Sequence, residues 1–355
     1  MRLATINDTH FGVKNDADYM LDYQEKFYKD FFFPTLLKAG CKNILHGGDL
    51  FDRRKYINFS TLNRMKKMLL EPAKEYGITI DIIPGNHDVF YKTTNEVNSL
   101  RELLHGFSNV NIIEEPVVNN YAGVKILMLP WMNNQNYKPF MEFVSNNSAD
   151  VLYGHLELAG FDFYAGVKNE HGMDPVSFNK FPQVWSGHYH HQSHRGNIHY
   201  LGSPMEFTWA DSEDDRGFHL FDTETKKLAF QKNPYTLFEK LYYSDESVED
   251  QAKFTTMNVS KYENKIVKLF VTKKTKPALF ESFVDRLYKM NLIDLTIMED
   301  FSEFHEANID DEIKYTSTRD LMDKYVDTAS TEMDKVRLKG LLGSLYIEAL
   351  HAETV

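Results

Sequence analysis

Residues 43–52 read N-I-L-H-G-G-D-L-F-D, and residues 78–88 read I-T-I-D-I-I-P-G-N-H-D. Each is a short apolar run that halts at glycine or proline and then presents acidic and imidazole side chains. The Ile/Leu content and the turn residues favour strands over short helices. The same form recurs at 2–7, 124–130, 149–154, 183–187 and 217–222. Between these runs, 20–38, 59–76 and 95–105 are long enough for helices and carry apolar residues three to four apart. Alternating strands and helices predict an α/β layered domain with a largely buried sheet, and chemistry at the carboxyl ends of its strands.

The pattern changes after about residue 235. A run at 265–272, a helical stretch at 277–290 and a strand-like run at 292–298 suggest a small β-α-β module. An acidic stretch, 299–315, reads as a linker. Thr331 and Asp334 resemble a capping box opening a helix with Leu338, Leu341, Leu342 and Leu345 on one face. The expected domains are therefore 1–235, 236–298, the 299–315 linker and a helical segment at 316–355.

The 355 residues carry a net charge of −12, of which −10 falls in 201–355. Wholesale coating of nucleic acid is thus disfavoured, while the nearly neutral first 200 residues leave room for a local basic groove. One cysteine, Cys41, excludes an internal disulfide framework and a Cys-based zinc site, and makes a cytoplasmic compartment the expectation. No run approaches the ~18 apolar residues of a membrane span, so no membrane partner is expected.

Five segments end a predicted strand with metal-ligand side chains: D-T-H (Asp8, His10), G-D-L-F-D (Asp49, Asp52), G-N-H-D (Asn86, His87, Asp88), G-H-L-E (His155) and G-H-Y-H (His188, His190). Any one arises by chance; five in order do not read as unrelated core or surface clusters. A carboxylate can bridge two cations ~3.5–4 Å apart, and such a pair can clamp both oxygens of a phosphoryl displacement. Four histidines among seven candidate ligands suit Mn, Fe, Zn or Co better than Mg. The expected assignment gives one metal Asp8, His10 and His190, the other Asn86, His155 and His188, with Asp49 bridging. His87, next to Asn86, cannot easily face the same metal. It is the candidate to protonate the leaving oxygen or stabilise developing charge, against the alternative of a buried, hydrogen-bonded histidine. Asp52 and Asp88 are expected to orient ligand histidines, with a plain structural carboxylate the alternative for Asp52.

In order, these motifs resemble the calcineurin-like metallophosphoesterases. The strings G-D-L-F-D, G-N-H-D, G-H-L-E-L and W-S-G-H-Y-H-H, followed by G-S-P at 202–204, are similar to SbcD-type DNA nucleases. L-P-W at 129–131 and the 214–218 stretch with Arg216, Gly217 and Phe218 resemble the recombination endonuclease subunits of T-even-like phages. The likeness covers roughly 1–235 in motifs and 236–355 in layout. It implies a two-layer β-sandwich flanked by helices, holding two Mn²⁺, with a small α+β capping domain. It also implies a C-terminal helical segment that docks on an SMC-like, Rad-fifty-type ATPase. The implied activity is Mn²⁺-dependent 3′→5′ exonuclease on duplex DNA and endonuclease on single strands, in the host cytoplasm if the chain is phage-encoded. Archaeal and eukaryotic relatives carry His where Asp52 stands, which leaves any substrate role for Asp52 open.

Other features carry two readings. Arg53, Arg54 and Lys55 can contact a DNA backbone or form an ordinary solvated loop. Leu62 and Met65, like Leu100 and Leu104, can pack on the sheet or, as in the family, form a homodimer contact. No G-x-x-x-x-G-K-[ST] occurs, so ATP dependence belongs to a partner. The competing functions are a phosphoprotein phosphatase or cyclic-nucleotide phosphodiesterase with the same two-metal core, and a scaffold without metals.

Overall fold

The computed structural model describes residues 1–164, 167–169 and 172–299, together with Val326, Lys335 and Leu338. The chain divides into two compact units, Met1–Glu299 and Asp300–Val355. In the second, Leu338 is helical. Leu341, Leu342, Leu345 and the linker from residue 300 onward lie outside the described residues.

Twelve strands of the first unit build two six-stranded sheets. In chain order they are β1 (Arg2–Ile6), β2 (Asn43–His46), β3 (Thr79–Ile82), β4 (Val110–Ile112), β5 (Val117–Tyr121), β6 (Val124–Leu129), β7 (Val151–His155), β8 (Gln183–Gly187), β9 (Ser193–Arg195), β10 (Ile198–Tyr200), β11 (Gly217–Asp222) and β12 (Lys227–Lys232). The first sheet runs β12-β11-β1-β2-β3-β4 and the second β9-β10-β8-β7-β6-β5. β1 to β4 are parallel, and β11 and β12 add antiparallel edges.

Period-two alternation explains the layering. Leu3 and Leu45 of the first sheet meet Ile126, Met128, Val151, Tyr153 and Trp185 of the second in a core between the sheets. Their neighbours Ala4, Ile6, Ile44 and Ile80 point to the other face and meet helices. Those helices include Asp18–Phe27 and Phe59–Met65, each continuing through a wider turn, and Ser99–Leu104. The outer face of the second sheet is covered by helix Tyr137–Asn146 through Phe140 and Val144.

This packing bears on the two readings of the apolar stripes. Met65, Leu100 and Leu104 are at most 1% exposed, and Leu62 packs against the same cluster. The sheet's apolar face needs cover, and Met65, Leu100 and Leu104 supply it.

Residues 238–298 form β13 (Phe238–Ser244), β14 (Ile266–Lys273) and β15 (Asp294–Met298), all parallel. Helices Val248–Thr256 and Pro277–Tyr288 pack on them around Tyr243, Phe254, Leu269 and Phe283. The Glu206 carboxylate accepts the N–H groups of Leu237 and Phe238 where this sheet begins.

Candidate metal centre

Register aligns the carboxyl ends of the central strands. Ile6 pairs with His46 and His46 with Ile82, while Gly187 pairs with His155. The residues that follow therefore emerge together: Asp8 and His10 after β1, Asp49 after β2, Asn86 after β3, and His188 and His190 after β8, with His155 ending β7. Four of them adopt positive φ, namely Asp8 (51°), His10 (43°), Asp49 (54°) and His188 (87°). Non-glycine residues there are strained, and such strain gathers where side chains must be re-aimed. Glycine is essential at Gly85, where an added Cβ would strike the Asp49 carboxylate and backbone nitrogen.

Three groups of potential ligand atoms form among the described residues: Asp8–His10–His190 and Asp49–His155–His188, the two made of expected ligands alone, and His10–Asp52–His87. Nε2 of His10 and Nε2 of His190 lie 3.0 Å apart. Asn86 Oδ1 lies 2.9 Å from His155 Nε2 and 2.8 Å from His188 Nδ1. One Asp49 oxygen, Oδ2, stands 3.7 Å from His10 Nε2 and 3.4 Å from His155 Nε2, and so reaches both groups of expected ligands. Converging imidazole nitrogens and carboxylate oxygens in buried surroundings form a donor set that suits divalent cations.

The electrostatics agree. Burial lifts the Asp8 carboxyl to about 6 against the pull of His155 and His10. Burial also opposes ionisation of Asp49, yet His155, His87 and His10 together hold it well below the usual carboxylate range. His155 is raised to about 9: its burial is outweighed by the Asp49 carboxylate. Burial and the neighbouring His155 push His188 down to about 3. Carboxylates and imidazoles that compete this strongly for protons mark a site built around positive charge.

His87 is half-buried, and its ring stands edge-on to His10 with centroids 4.9 Å apart. Its backbone N–H donates to Asp49 Oδ1 at 2.7 Å. Its Nδ1 lies 2.5 Å from the Asp52 carbonyl. A carbonyl only accepts, so Nδ1 carries the proton and Nε2 is the nitrogen left for a substrate. Asp52 Oδ1 sits 3.3 Å from His10 Nδ1. Asp88 behaves differently. Among the described residues its carboxylate touches no histidine but accepts the backbone N–H groups of Asp49, Leu50, Phe51 and Gly85. It fixes the loop that carries Asp49, because four converging N–H groups need one acceptor.

The basic trio also divides. Arg53 is committed to Asp16 and Asn15, each at 2.7 Å. Lys55 is exposed. Arg54 keeps a buried Nη1 with no acceptor among the described residues, and the Asp49 carboxylate acts on its charge.

Three supports had no role assigned from the motifs. Asn7 donates to Asp8 Oδ2 at 2.5 Å and to the Gly202 carbonyl at 2.9 Å, and accepts from the Tyr153 hydroxyl. Trp131 packs on His155 and His188 at 5.9 and 5.3 Å between centroids. Arg216 donates to the His190 carbonyl and is held by Asp211 and Asp214.

The calcineurin-like phosphoesterase family model matches residues 1–206. Exonuclease subunit 1 of Enterobacteria phage T4 is 31% identical over 351 residues, covering 98% of this chain and 99% of that one. The D component of nuclease SbcCD from Staphylococcus epidermidis is 23% identical over 259 residues, 64% of this chain and 67% of that one. The DNA double-strand break repair protein Mre11 of Sulfolobus acidocaldarius is 30% identical over 118 residues, 32% and 29% of the two chains. The centre at the strand ends thus sits within the matched region, and the chain belongs to the calcineurin-like phosphoesterase family as a metal-dependent phosphodiesterase.

Proposed function

We propose that the chain is a dimanganese DNA nuclease, acting 3′→5′ on duplex ends and endonucleolytically on single strands, as the nuclease subunit of an SMC-like ATPase complex. The observation that carries this reading is the reach of Asp49 Oδ2 toward both ligand groups, with His87 beside them. Asp8, His10 and His190 would hold one ion and Asn86, His155 and His188 the other, with Asp49 shared. Bound there, the ions supply Lewis-acid stabilisation of the phosphate and a water of lowered pKa.

The chain's own residues do the rest. Asp52 and Asp88 keep His10 and the Asp49 loop in place. His87, its Nδ1–H held by the Asp52 carbonyl, acts once Nε2 is protonated as well: the imidazolium hands the Nε2 proton to the oxygen that leaves phosphorus as the P–O bond breaks, and the ring returns to its neutral form. Arg54, whose Nη1 finds no acceptor among the described residues, turns its guanidinium to a phosphate oxygen. The names of the phage and bacterial relatives, an exonuclease subunit and a nuclease subunit, support a nuclease working within a larger complex, and the archaeal name supports action on DNA; the ATPase partner rests on the motif resemblance. The helical segment 316–355 is proposed to dock on that ATPase. A second copy of this chain would seat on residues other than Met65, Leu100 and Leu104.

The test is cleavage of a linear, 3′-labelled duplex by the purified chain in Mn²⁺, beside Mg²⁺ and EDTA. Mn²⁺-dependent release of label is expected. Turnover of a small phosphodiester without DNA cleavage would move the assignment to a phosphodiesterase of small substrates.

A further inference from the structure

A cavity of about 300 Å³ opens on the His155 side of the centre, with Lys92, Trp131, Asn134, Tyr137, His155 and Glu157 in its walls. That is the small end of the range for ligand clefts. Its aromatic wall is fixed in place. The Trp131 backbone N–H donates to the Pro84 carbonyl at 2.9 Å, and its carbonyl accepts from Asn95 at 2.8 Å and Asn136 at 3.1 Å. Asn133 in turn donates to Asn95 at 2.8 Å. One side of the indole is occupied by His155 and His188. Among the described residues, the indole N–H finds no acceptor and the Lys92 ammonium no carboxylate. Tyr137 is 43% exposed.

We propose that this cavity is a nucleoside subsite, taking the base and sugar of the nucleotide whose phosphate lies at the metal centre. The inference rests on the nuclease reading above. A flat π-system is the ligand that an indole and a phenol receive by stacking, whatever the base sequence. The unpaired indole N–H offers one hydrogen bond to a base or sugar acceptor. Lys92, at the turn between strands Val89–Tyr91 and Thr94–Asn98, supplies positive charge for a flanking phosphate. A rigid wall lowers the ordering cost of binding. His155 belongs both to this wall and to the centre, so the subsite and the reacting phosphate are neighbours through one side chain.

Trp131 is its own reporter, because Trp185 is fully buried and Trp209 packs on Phe238. The experiment titrates the Mn²⁺-loaded full chain with deoxyadenosine 5′-monophosphate and, separately, with inorganic phosphate, following tryptophan fluorescence. The nucleotide is expected to quench emission where phosphate does not, with the quenching lost in Trp131→Phe. Tyr137→Ala should weaken nucleotide binding by about tenfold or more, and its unfolding midpoint verifies that it folds. The same preparation is assayed on duplex DNA. DNA cleavage without nucleotide-specific quenching overturns the subsite and leaves the nuclease reading intact. Quenching that survives in Trp131→Phe also overturns it. Nucleotide-specific quenching without DNA cleavage supports the subsite and places the failure in the nuclease reading.

Discussion

The Asp49 N–H donates to the Asp88 carboxylate at 2.8 Å, so the segment after the third strand holds the segment after the second. The carboxylate that reaches both ligand groups is therefore positioned by a residue that faces neither. Asp88→Ala leaves the N–H groups of Gly85, Asp49, Leu50 and Phe51 without acceptors. At roughly 1–3 kcal/mol for each orphaned group, several kcal/mol of stability should be lost. Asp88→Asn, which retains one acceptor oxygen, should lose less. Urea unfolding of the two variants checks the order.

His87 and Asp49 separate chemistry from assembly. His87→Ala should keep bound metal and the unfolding midpoint while cleavage falls by about 10²–10⁴-fold. Asp49→Ala should lower metal content at both positions, because one oxygen serves both. Elemental analysis beside a cleavage assay distinguishes the variants, and wild-type cleavage by His87→Ala would remove the proton-donor role.

Arg53 and Arg54 should respond in opposite senses. Arg53→Ala breaks a part-buried pair with Asp16, costing roughly 1–3 kcal/mol. Arg54→Ala removes a buried N–H that has no acceptor among the described residues, so stability should hold or rise. Its DNA affinity should drop, with the slope of log K against log salt reduced by about 1. Melting curves and salt titrations of both variants supply the comparison.

His219 gives the fold an acid limit. Burial, aided by nearby His199, pushes it down to about 4, against an unfolded value of 6.5. Below pH 6.5 the unfolded chain takes up a proton that the native state refuses, so stability is lost as pH falls from 6.5 toward 4. The full effect is roughly 3 kcal/mol. His219→Gln should flatten this part of the stability–pH curve, measured as urea midpoints between pH 7 and 4.

The central strands were legible because they are buried on both faces and their apolar runs are continuous. The strands Val117–Tyr121, Ser193–Arg195 and Lys227–Lys232 were not: V-V-N-N-Y, S-H-R and K-L-A-F-Q-K lie at sheet edges, where pairing rather than composition makes a strand. The residues gathered at the strand ends were visible through their chemistry, since Asp, Asn and His after glycine-bounded runs share few other purposes. What Asp88 binds was not visible, because its partners are backbone N–H groups that any sequence has. Nor could R-R-K reveal which arginine is occupied, as Asp16 lies 37 residues earlier. The apolar stripe at Met65, Leu100 and Leu104 reads identically for core and interface, and only the sheet beneath it decides.

The ligand residues are drawn from both layers of the sandwich: Asp8, His10, Asp49 and Asn86 follow strands of the first sheet, while His155, His188 and His190 come from the second. Cations seated among them would act as rivets through the two layers, each tying together chain segments far apart in sequence. Holding the sandwich shut and cutting phosphodiesters would then draw on the same ions. A chelator would do more than silence the enzyme: it would let the layers part at the active edge, and proteases would find the chain there first.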